Sequence, residues 1–145
     1  MKKVIATLIT VIMMFSTASS AFAAGVTSGW QTKKNTTVRV STDQATYGPG
    51  TSNINVTIDK SAPSTSYFYE IFLAQGTQYL YSTNIRGWIG TSSKSHDIKI
   101  SDFVPTNSQA TFEVMVKIYT SDEGYPFGTY IGDWFTPSFT VVRTN

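Results

Sequence analysis

Apolar residues alternate strictly with polar ones through much of this chain, and nowhere after Ala24 do they recur at the spacing of an amphipathic helix. The cleanest run has Phe112, Val114, Val116 and Ile118 on one parity and Thr111, Glu113, Met115, Lys117 and Tyr119 on the other. Successive side chains of a strand point to opposite faces, so the first set is predicted to be core and the second, Met115 included, to be wet. The same alternation places Val38, Val40, Ile54, Val56, Ile58, Ile98, Ile100, Phe139 and Val141 inside. Tyr67-Phe68-Tyr69-Glu70-Ile71-Phe72-Leu73-Ala74 is apolar on both parities except at Glu70. That pattern marks a central strand with a partly covered outer face, adding Tyr69, Ile71 and Leu73 to the core. The chain is therefore all-β.

Turn chemistry divides these runs. Tyr47-Gly48-Pro49-Gly50 combines a preset φ with glycines free to take positive φ, Gln75-Gly76 turns the central strand into Gln78-Tyr79-Leu80-Tyr81, and Pro63, Pro105 and Pro137 interrupt the alternation. Residues 84–95 read as a long connection holding Trp88, and residues 121–128 as a hairpin loop. About seven short antiparallel strands at this spacing fit a two-sheet sandwich. Residues 40–59, with Asp43, Tyr47, Pro49 and Gly50 ahead of Ile54, Val56 and Ile58, resemble the opening strands of immunoglobulin-like and fibronectin-III-like modules of bacterial secreted and surface proteins. Residues 98–119 and Pro137-Ser138-Phe139-Thr140-Val141 are similar to the closing strands of such modules, though without their cysteine pair. The resemblance implies an immunoglobulin-like sandwich; it implies no particular activity, because fold does not carry function.

The N-terminus carries a different signal. Met1-Lys2-Lys3, an apolar run over residues 4–15 and the small residues Ala21 and Ala23 form the pattern of a cleaved secretory signal peptide, with cleavage expected after Ala23. The run is shorter than the roughly 20 residues a membrane-spanning helix needs. The expected organisation is a signal peptide over 1–23, a flexible N-terminal arm over 24–35 and one domain over 36–145, secreted and extracellular, with no transmembrane anchor after cleavage. Removing Lys2 and Lys3 from the eleven basic residues leaves nine against nine acidic ones. Clustered Lys and Arg, which nucleic acid requires, are absent from what remains. The chain has no cysteine, which excludes disulfides, thiolate metal sites and a cysteine nucleophile.

Enzymatic constellations are not found. His96 and Asp97 point to opposite faces of a strand and cannot orient one another as a base pair, and His96 shares the parity of Ile98 and Ile100. Asp122, Glu123 and Asp133 lack the ordered spacing of a calcium loop, so no metal is expected. Glu70 has no second acid placed beside it by the sequence for glycoside hydrolysis, and neither a phosphate-binding glycine loop nor a nucleophile elbow occurs. No catalytic residue and no cofactor is predicted.

Aromatic residues carry the remaining signal. The chain holds three Trp, eight Tyr and nine Phe, of which only Phe15 and Phe22 fall in the leader. Two groups stand out. Tyr125, Phe127, Tyr130, Trp134 and Phe135 surround the last hairpin; Tyr79 and Tyr81 share one strand face, with Trp88 in the segment that follows. Such rings stack on sugar faces and anchor protein interfaces. The expected function is a non-enzymatic extracellular binding module for a glycan, cell-wall polymer or protein, with Trp134, Tyr130 and Tyr125 as anchors and Trp88 as a secondary contact. The competing expectation is a secreted effector or assembly protein: an antimicrobial or membrane-active factor, an enzyme inhibitor or a self-associating matrix subunit.

Overall fold

A computed structural model describes residues 24–120 and 128–144. Ten strands follow one another: β1 (Gln31–Lys33), β2 (Thr36–Thr42), β3 (Thr46–Tyr47), β4 (Asn53–Ala62), β5 (Tyr67–Gln75), β6 (Gln78–Ile89), β7 (Lys94–Lys99), β8 (Ser108–Tyr119), β9 (Tyr130–Phe135) and β10 (Phe139–Arg143). They form two sheets, β1-β2-β4-β7 and β3-β10-β8-β5-β6, with β9 continuing beside β8. The sandwich expected from the sequence is present, with ten strands among the described residues rather than about seven. The additional elements are short pieces that alternation cannot reveal. β3 has two residues and runs parallel to β10, while β9 and β10 flank successive halves of β8. Between them Thr136 keeps the ladder closed: its N–H donates to Val114 O at 3.0 Å, and its Oγ1 accepts from Val114 N at 2.9 Å.

The core lies where the alternation placed it. Val38, Val40, Ile54, Val56 and Ile58 from one sheet meet Ile71, Leu73, Val114, Val116, Ile118 and Val141 from the other, all fully buried. Tyr69, Ile98, Ile100, Phe112 and Phe139 complete the predicted set. Tyr47, Ile89, Val104, Ile131 and Trp134 join it unpredicted. Met115 corrects the expectation of a wet parity on β8. It is fully buried on the outer face, between Phe72 of β5 and Phe135 of β9, because β8 has neighbours on both sides.

Residues 24–35, expected as a flexible arm, are instead tied to β2. Ser28 N donates to Val40 O at 2.8 Å, Thr42 N donates to Val26 O at 2.9 Å, and β1 pairs antiparallel with β2 from Gln31 opposite Val38 to Lys33 opposite Thr36. The approach is close enough to demand glycine at Gly25, where a Cβ would fall 1.7 Å from Thr42 O.

The sheets are also joined by a polar link. Tyr69 of β5 reaches His96 of β7, with 2.6 Å between its hydroxyl and Nε2. Gly87 on β6 leaves room for the phenol, since a Cβ there would sit 2.5 Å from the hydroxyl. His96 is thus held by a partner from the facing sheet, and burial lowers its pKa from the ordinary histidine value, with Lys94 adding to the effect and Asp97 opposing it.

Candidate functional site

The outer face of the second sheet is built in rows, because residues in register across neighbouring strands lie side by side on one face. One row is aromatic and crosses four strands: Trp88 of β6, Phe68 of β5, Tyr119 of β8 and Tyr130 of β9. Their ring centroids are separated by 5.8, 6.4 and 5.8 Å in that order. Edge-on and tilted contacts at these distances suit the ring quadrupoles and hold the row rigid. Its two ends, Trp88 and Tyr130, are 43% and 42% exposed, which leaves ring surface open at both edges of the face.

The next row is charged: Arg86, Glu70, Lys117 and Asp133. Glu70 is almost completely buried, and its charge is met twice, by Arg86 Nε at 2.7 Å and by the Tyr119 hydroxyl donating at 3.3 Å. A carboxylate in that position survives because both oxygens are answered. Lys117 stands beside Glu70 in register yet forms no ion pair among the described residues; its ammonium lies 5.5 Å from the centre of the Tyr79 ring.

Beyond the charged row, β6 departs from regular pairing. Leu80 opposes Leu73 and Ile85 opposes Ile71, so β6 spends more residues than β5 over the same length. Thr83 repairs the interruption, its Oγ1 accepting from Leu73 N at 3.0 Å and donating to Leu80 O at 2.7 Å. Bulges re-aim side chains and are common beside functional sites. This one stands Tyr81 upright, 73% exposed and edge-on to Phe72 at 5.6 Å. Tyr81, Asn84 and Arg86 thereby form one wall of an open cleft of about 260 Å³ whose floor is Glu70, Phe72 and Tyr119 and whose far side is Lys117.

The predicted site residues separate. Trp88 and Tyr130 lie on this face, although Trp88 sits on a strand rather than in a connection, because β6 resumes after the bulge and runs to Ile89. Burial, then the hydrogen bond and charge of Asp133 and the phenols of Tyr119 and Tyr79, raise the Tyr130 pKa above the ordinary tyrosine value. Trp134 is corrected. It is fully buried, pairs with the core residue Val116, and its indole Nε1 donates to Gln31 O at 3.1 Å. The extra residue Ile131 on β9 puts Tyr130 opposite Tyr119 on the outer face while Trp134 faces inward. Tyr125 lies outside the described residues. Phe68, Tyr119 and the bulge were missed as site elements; the two-parity apolar run around Glu70 was the available signal.

The model of the YqgA MG2 macroglobulin domain matches residues 23–138, a span that includes every strand from β1 to β9. Among curated proteins, none matches the chain. MG2 macroglobulin domains are immunoglobulin-like sandwiches, a non-catalytic fold, and macroglobulin-like domains occur in extracellular or surface proteins. With its two-sheet architecture and this match over most of its length, the chain belongs to the YqgA MG2 macroglobulin domain family.

Proposed function

We propose that this domain is a secreted, non-enzymatic binding module that holds a glycan chain across the outer face of its second sheet. One observation carries the reading: Tyr79, Tyr81, Trp88 and Tyr130, four of the large side chains that remain substantially exposed, share that face. Rings fixed on strands have little side-chain entropy left to lose, and flat faces next to hydrogen-bonding hydroxyls match the alternating apolar and polar surfaces of sugars. Glu70 is engaged by Arg86 and Tyr119, and so supports the platform rather than serving as a free acid. The signal-peptide pattern of residues 1–23 supports export.

The test is retention of the purified protein on insoluble polysaccharides. Trp88→Ala is expected to weaken binding at least about tenfold while the thermal midpoint stays close to that of the parent, the behaviour of an anchor at an interface. Unchanged retention of Trp88→Ala, or no retention of the parent on any polysaccharide, would sink the reading.

A further inference from the structure

Building on that reading, we infer that the cleft beside Tyr81 takes a carboxylate group, so that the preferred ligand is an acidic glycan. The inference rests on how charge is distributed in the cleft. Its lining contributes two cations, Arg86 and Lys117, and one anion, Glu70. Glu70 accepts from Arg86 at 2.7 Å and from the Tyr119 hydroxyl, so its capacity is committed within the platform. Lys117 is not matched in this way. It lies between Glu70 and Asp133 in the register, yet no carboxylate of the described residues is within ion-pair distance, and its contact is the face of Tyr79 at 5.5 Å. Among the lining residues the cations therefore outnumber the anions by one, and Lys117 is the cation that makes no ion pair with a described residue.

The surroundings suit a sugar acid rather than a simple anion. Asn84 brings an amide to the same wall, and no hydrogen bond within the described residues engages it. Tyr81 stands over the opening with most of its ring free. A pyranose lying on Tyr81 would present an equatorial carboxylate to the Lys117 ammonium and the Asn84 amide, combining a stacking contact with charge-assisted hydrogen bonds. Lys117 supplies a point charge that accepts many approach directions, which suits a carboxylate repeated along a polymer.

The experiment compares polygalacturonate with its fully methyl-esterified, neutral form as ligands of the purified protein at low and moderate salt. Binding to the acid form is expected to exceed binding to the ester by about tenfold or more, the size of a charge-assisted hydrogen bond, and to weaken as salt is added. Lys117→Met, which keeps the apolar stem over the sheet, should bring the acid form down to the level of the ester and leave the ester unchanged. Lys117→Arg should retain the preference, and Tyr81→Ala should weaken both polymers alike. Equal binding of the two polymers, or a preference that survives Lys117→Met in a protein with parental melting, overturns the inference while leaving the aromatic platform in place. Binding of neither polymer overturns the inference, while the aromatic platform is decided separately by retention on the wider set of insoluble polysaccharides.

Discussion

On the outer face of the β1-β2-β4-β7 sheet, polar side chains answer one another across strands. Thr32 and Thr37 share a hydrogen bond of 2.8 Å, Thr57 and Ser95 one of 2.9 Å, Asn55 donates to Asp97 at 3.0 Å, and Arg39 pairs with Asp59 at 2.7 Å. On the outer face of the second sheet the corresponding positions hold Phe68, Phe72, Met115, Tyr119 and the exposed rings, with one committed ion pair and one unmatched lysine. The first face is polar and answered within itself apart from one exposed ring, Trp30, which lies over Arg39 at 4.8 Å. The second buries apolar surface on both sides of the sheet and leaves ring faces, an amide and an ammonium for something else to cover. A sheet needs only one apolar face to fold, so the aromatic investment on the second outer face is the feature that folding alone does not require.

The largest test of that contrast is Trp134→Ala. Because the indole fills the space between β9 and β1 and donates to Gln31 O, its removal should cost about 3–5 kcal/mol in denaturant unfolding, the range for deleting a buried aromatic ring. A loss near zero would mean that the N-terminal strand does not pack on Trp134. Next in size is Met115→Ala, expected to cost about 2–5 kcal/mol despite its outward parity. Thr57→Ala, at an outward position of the first sheet, should cost under about 1 kcal/mol. Comparable losses at the two positions would erase the distinction between the faces.

The smallest effect belongs to the link between the sheets. Burial lowers the His96 pKa, so the unfolded chain takes up a proton before the folded one as pH falls. The stabilisation is therefore present above the ordinary histidine value of about 6.5 and is lost as pH drops through and below it. Melting followed between pH 7.5 and 5 should show a decline that His96→Gln reduces. A decline of the same size in that variant would place the sensitive group elsewhere.

Local chemistry written in consecutive residues determined the architecture of this protein. The period-two alternation placed Val38, Val40, Ile54, Val56, Ile58, Val114, Val116 and Ile118 in the core, because strand geometry converts parity directly into face. The two-parity run around Glu70 likewise announced a central strand with a covered exterior. What tertiary structure alone decided was which aromatic residues remain outside. Trp134 and Tyr130 have the same parity and opposite fates, since one extra residue, Ile131, reverses the face of everything before it. Trp88 moved from an expected connection onto a strand because a bulge, closed by Thr83, let β6 resume. Gln31–Lys33 became part of a sheet because β2 offered a free edge and Trp134, some hundred residues away, offered an indole N–H to Gln31. Bulges and distant edges set the exposure of each ring through pairings between segments far apart in the chain, and a local hydrophobic pattern carries no record of them.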